Sequence, residues 1–323
     1  MRAHALLVLL AACRAVPEAT HAPAPPSDVA LLVGDAEGRP HAWVARGDRI
    51  RWRVDGPLVS RPAPFTIPRA YAVVDEDAAT VRVLVAESGV RLLAWVDEAD
   101  LHDVITRDTD VDIDGAIGGA GATLFVGAAV KINGCDGDRC AVRTVLSGVE
   151  VAGSVPAAVL GRRFAPGPVD DDQPAGWLPS GTAIRAAPRS DAPVIAVVHE
   201  HSVRALGPPV SGWQEVEVIG DVARAHGYAA GEVRDGDMNI YGGLLGEEDG
   251  DAAAALVAVD AGACVYDRPG GVPVGIVTEA SERSLRSAAP GWWTTTIALG
   301  GGKVDVALEG APAHWGRCPG VRP

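Results

Sequence analysis

Positive charge is in short supply in this sequence: 28 Lys and Arg stand against 42 Asp and Glu, a formal net charge of −14 at pH 7. A general nucleic-acid binder needs basic patches to neutralise phosphates, so that class is excluded. Membrane-spanning apolar length is missing too. The N-terminal run Ala5–Ala12 holds eight residues, far short of the ~20 that carry a helix across a bilayer. Helical periodicity is hard to find beyond that run. With 39 Gly and 24 Pro, breakers make up roughly a fifth of the chain, against about an eighth in average usage, which excludes a long-helix or coiled-coil protein. Catalytic signatures are absent: there is no Gly-x-Ser-x-Gly, no His-Glu-x-x-His, and Gly300–Lys303 lacks the spacing of a phosphate loop. What is there is 48% hydrophobic residues, enough to bury cores and too many for a disordered chain. The 323 residues suit roughly two to four domains.

Met1–Cys13 reads MRAHALLVLLAAC. Arg2 gives a positive start and Ala5–Ala12 an apolar core, the pattern of a secretory signal. Leu10-Ala11-Ala12-Cys13 resembles the bacterial lipobox, in which the Cys13 thiol is acylated and becomes the first mature residue. An ordinary signal cleaved further on, after Ala22, is the alternative. Residues 14–27, rich in Pro and Ala, read as an extended tether that holds the folded part off a membrane surface. Four cysteines come after Cys13: Cys135, Cys140, Cys264 and Cys318. An even number in an exported chain predicts two disulfides, with three pairings open. The segment NGCDGDRC places turn residues between two thiols, which favours Cys135–Cys140 at a hairpin tip and leaves Cys264–Cys318 to tie down the C-terminal tail. A four-Cys metal site fails on spacing, because no CxxC occurs.

Val81–Val85, Gln214–Val218 and Lys303–Ala307 alternate with period two and lie between Gly, Pro, Asn and Asp clusters. Many short strands of this kind predict an all-β protein, as a sandwich or small barrels. The chain also repeats. Gly181–Pro188 aligns with Gly262–Pro269, Pro193–Val198 with Pro273–Val277, and Gly212-Trp213 with Gly291-Trp292, at offsets of 81, 80 and 79 residues. Fainter units open at Gly56–Pro62, with Thr80–Ala86 and Leu93–Leu101 behind it, and at Gly121–Leu160. Acidic, Pro- and Gly-rich linkers at Ala165–Ala175 and Gly246–Asp251 complete a division into units at 28–115, 116–164, 176–235 and 252–323.

Within the third unit, Ala183–Pro188, Ala192–Val198, Gly212-Trp213-Gln214-Glu215-Val216 and Ala225–Val233 succeed one another in an order that resembles the bacterial SH3-like domain family. Gly227-Tyr228 stands where that family has Gly-Trp. The match covers 176–235 best, 252–323 more weakly, and in the first unit rests on Ala94-Trp95-Val96. The last unit lacks the closing Gly-aromatic pair, and Gly300–Gly302 reads as a hairpin instead. The resemblance implies tandem small SH3-like barrels that bind rather than catalyse, with cell-wall peptide bridges or envelope proteins as partners.

Other chemistry is weaker. His199-Glu200-His201 puts two imidazoles on one strand face with no third ligand in view, and reads as a polar turn. Asp108–Gly115 begins like a calcium loop from Asp110, but position 12 is Gly121, so an edge strand with outward charges is the better reading. No metal or cofactor is expected. Eight Trp against three Phe and four Tyr leave the aromatics as binding candidates. Trp213, Trp292 and Trp95 are expected at barrel cores or ends. Trp293 must face away from Trp292 if both lie in a strand, and is the best contact candidate, with Tyr228, Trp213 and Trp95 beside it. The expected protein is a lipid-anchored, non-enzymatic binding or scaffolding module on the outer surface of a bacterial membrane or in the periplasm. An envelope hydrolase or metal-dependent enzyme with an unrecognised site, and a purely structural envelope component, are the alternatives.

Overall fold

In the computed structural model the described residues are 27–318, except 35, 37, 63–68, 88, 117–118, 168–175, 200–201, 236–254, 300–301 and 313. The lipobox cysteine Cys13, the tether up to Pro26 and most of both linkers lie outside them. Alternation sets the strands. In Thr80–Glu87 and Val90–Asp97, Val81, Val83, Val85, Leu92, Ala94 and Val96 point into one core, while Arg82 and Trp95 lie on the opposite face. The fold is all-β; among the described residues the only α-helix is α1, Ser27–Val33, and no helix is long and apolar enough to cross a membrane.

Four β-units succeed one another at 41–101, 103–161, 176–235 and 255–318. The first two share a plan. Ala70–Asp77, the strand starting at Thr80, the strand starting at Val90 and the 3-10 turn Glu98–Asp100 recur 59 residues on. Their counterparts are Ala129–Asp136, the strand starting at Arg139, the pair starting at Val149, and Ala157–Val159. The third and fourth units share another. Thr182–Arg185 and Cys264–Tyr266 both carry a bulge, at Ile184/Arg185 and Val265/Tyr266, 81 residues apart. Strand order across the sheet is the same in both.

The units pair first with fourth and second with third. Val90–Asp97 joins Pro273–Val277 with Val90 opposite Val277; Val149–Glu150 joins Val194–Val198 with Val149 opposite Val198. Ser60–Pro62 lies along Gly302–Ala311, and Gly121–Leu124 lies along Ala223–Ala230 in the same way. Each pair has its own core. One gathers Val83, Leu92, Val265, Leu285 and Leu308; the other gathers Val130, Val142, Ile184, Ile195 and Val216. The molecule is therefore two equivalent lobes, an inner one from residues 103–235 and an outer one from the two ends. The second unit's exit returns across the first. Phe164 exchanges backbone hydrogen bonds with His41 (2.8 and 3.0 Å), and Arg163 pairs with Glu98 at 2.5 Å and Glu76 at 2.8 Å.

This arrangement departs from a string of separate units. The expected boundary between 115 and 116 falls inside a hairpin, where Thr109–Val111 pairs with Gly121–Leu124; the units divide at 101–103 instead. The physical reason is that each unit leaves strand edges open, and the partner unit supplies the missing hydrogen bonds. Both disulfides form. Cys135 and Cys140 face each other across the hairpin that turns at Gly137, and Cys264–Cys318 fastens the tail beside the bridge between Ala263 and Arg317.

Candidate functional site

The aromatic residues that face away from the cores are placed by alternation within single strands. In Trp213–Ile219, Gln214, Val216 and Val218 are buried, so Trp213, Glu215 and Glu217 share the outward face. Antiparallel pairing sets Tyr228 opposite Glu215 and next to Arg185, which makes Trp213 and Tyr228 diagonal neighbours. His226, on the same face, lies with Nε2 at 3.1 Å from Glu215 Oε1, and Arg185 donates to the Ala192 carbonyl at 2.8 Å.

The outer lobe repeats the platform 79 to 81 residues later. Trp292 stands where Trp213 does, each preceded by a glycine with positive φ, Gly212 at 81° and Gly291 at 75°. Only glycine takes that turn without strain. Tyr266 stands at the Arg185 position. Its ring meets Trp292 edge-on at 5.0 Å between centroids, and its hydroxyl donates to Glu309 Oε2 at 3.3 Å. Burial pushes the Tyr266 phenol above its ordinary range, and the neighbouring Glu309 carboxylate adds to the rise. Each lobe thus presents an indole, a phenol and a carboxylate on one sheet face. Such a set can stack a flat or alkyl group and accept a hydrogen bond beside it.

The two adjacent tryptophans lie on opposite faces, as alternation requires, but the faces are the reverse of the expectation. Trp293 packs against the outer core, with its ring 6.5 Å from that of Trp315 and its Nε1–H donated to the Gly310 carbonyl at 3.2 Å. Its inner-lobe counterpart is Gln214, also inward. Trp292 is the outward member. The signal lies in Glu215 and Glu217, which mark the solvent face of Trp213 and, through the repeat, that of Trp292. Trp95 is likewise off the main core, partly buried under the Arg82 guanidinium at 5.7 Å.

The polar motifs do not converge. Asp108 accepts from the Val126 amide (2.8 Å), Asp110 from the Thr123 hydroxyl (2.7 Å), and Asp112 lies 3.6 Å from Arg139. These three carboxylates serve three separate partners, and Asp112 also exchanges backbone hydrogen bonds with Ser154, so the segment is not a free edge. His199 sits 3.7 Å from Glu150, while Glu200 and His201 lie outside the described residues. Among the described residues no group of three or more His, Cys, Asp or Glu is arranged to hold a metal ion. No family model, curated protein or solved structure matches the chain.

Proposed function

We propose that this is a non-enzymatic binding or scaffolding protein of the bacterial cell envelope. It is exported, anchored through lipid on Cys13, and built from SH3-like barrels that dock cell-wall peptide or envelope proteins. The observation that supports this reading most is the equivalence of the two outward aromatic platforms. Trp213 and Trp292 stand at equivalent positions on the outward faces of the two lobes, each with a tyrosine beside it, Tyr228 in one and Tyr266, at the Arg185 position, in the other. Two like platforms on one molecule suit a repetitive polymer, because the second contact is made at high effective concentration.

Sedimentation with purified peptidoglycan tests it. The protein is expected in the pellet, Trp213→Ala and Trp292→Ala each reduce the bound fraction, and the double variant abolishes binding. Binding should strengthen as salt rises from low values, because a chain of charge −14 is repelled by an anionic wall until screened. Failure of wild type to sediment discards the cell wall as ligand. Metabolic labelling with a palmitate analogue tests the anchor: label that persists in Cys13→Ala removes it.

A further inference from the structure

The lobes differ on the sheet face that α1 covers. Beneath the helix lie Ala72, Leu84, Leu93 and Ile276 with the Cys264–Cys318 bridge, all buried, and Leu32 is buried against them. The repeat puts Lys131, Arg143, Ala152 and Val197 at the matching inner-lobe positions, the first three exposed. The outer lobe alone carries an apolar strip there.

Two arginines bracket that strip. Arg82, stacked over Trp95, makes a two-pronged pair with Asp28 in the first turn of α1, at 2.8 and 2.9 Å. Arg91 donates to the carbonyls of Leu32 (3.3 Å) and Gly34 (2.7 Å) at the other end. The inner lobe has Ala141 and Glu150 in their places. The helix itself is seven residues long, about half of what holds a helix together in water. It is helical because it is docked: the buried Leu32, the partly buried Leu31, Ala36 just beyond the helix, and the two arginine contacts hold it.

We propose that this strip is a docking groove for a short helix of a partner protein, and that α1 is its exchangeable resident. The partner helix carries a carboxylate in its first turn for Arg82, adjacent leucines for the strip, and a free C-terminal turn whose carbonyls meet Arg91. The groove adjoins the outer platform, since Tyr266 packs against the same cluster, but the proposal does not depend on what the platforms bind.

A labelled synthetic peptide of residues 25–36 is the probe, monitored by fluorescence anisotropy against the full chain. Leu32→Asp, which expels the resident helix, is expected to bind it saturably, and wild type at least about tenfold more weakly, because the resident competes. Adding Arg82→Ala and Arg91→Ala to Leu32→Asp, or Asp28→Arg in the peptide, should each remove binding. Leu32→Ala serves as a second variant should Leu32→Asp not fold. In wild type, hydrogen exchange at residues 30–34 should proceed by local opening, faster than in Val90–Asp97. Equal binding to wild type and variants, absence of binding to both variants, or exchange of residues 30–34 only with global unfolding would overturn the proposal.

Discussion

Trp292 and Trp293 separate binding from stability within one dipeptide. Trp293 packs, partly buried, against the outer core beside Trp315, so Trp293→Ala should cost about 2–3 kcal/mol in urea unfolding, below the full-burial range. Trp292→Ala removes an outward ring and its edge-on contact with Tyr266, and should cost about 1 kcal/mol or less while lowering ligand binding. His102 carries a pH dependence. Burial pushes its imidazole below the ordinary range, and Asp103 offsets this only in part. The folded state therefore favours the neutral ring, whereas the unfolded chain protonates near about 6.5. The stability linked to this group is complete above that pH and declines as pH falls through it toward the lower folded value. His102→Gln should flatten that part of a stability–pH curve and leave the curve above neutrality unchanged.

At the scale of strands, the seam between the first and fourth units rests on Gly275. A methyl group there would meet Leu92 Cδ2 at 2.3 Å and the Arg91 carbonyl oxygen at 2.4 Å. The inner lobe holds the buried Ala196 at this position, because the short strand Val149–Glu150 ends before reaching it. Gly275→Ala should therefore push Val90–Asp97 away and destabilise the outer lobe by about 1–3 kcal/mol, read by thermal or urea melting. The same seam shows what sequence can carry. Strand alternation is legible, as in Gln214–Val218, because one face is buried and the other wet. The repeat of third and fourth units is legible because turn glycines and Gly-Trp pairs keep their identities. The 59-residue repeat is not. Ala70–Asp77 and Ala129–Asp136 share only their first and last residues, since burial constrains size and polarity more than identity. Nor does pairing between residues 90 and 277 leave any local pattern to read. Of the candidate site, Trp213 and Tyr228 are named from sequence as binding candidates, although Trp213 is also expected at a barrel core or end and instead lies on the outward face. Trp292 reads onto the wrong face, and Tyr266 and Glu309 escape notice because their role depends on that face.

For the molecule as a whole, the discontinuous lobe predicts unequal dependence on the two disulfides. Cys264–Cys318 closes a separation of 54 residues within the outer lobe, and Cys135–Cys140 one of five. On a chain-entropy basis the first contributes about 4 kcal/mol and the second about 2. Replacing the Cys264–Cys318 pair with alanines should lower the melting temperature more than replacing the other pair. Ending the chain at residue 254 should leave 103–235 resistant to limited proteolysis while 41–101 becomes sensitive; protection of 41–101 in that truncation would contradict the two-lobe description.

Synthesis runs from the N-terminus, and the nested pairing imposes an order on assembly. The second and third units can close on each other as soon as both have emerged. The first, made earliest and already paired along Thr80–Glu87, must wait with the other edge of Val90, Arg91 and Leu92 open until Pro273–Val277 has emerged. Throughout that interval this short β-edge and the apolar side chains behind it are open to wrong partners, so a newly made chain has its greatest need of a chaperone at the unit it makes first.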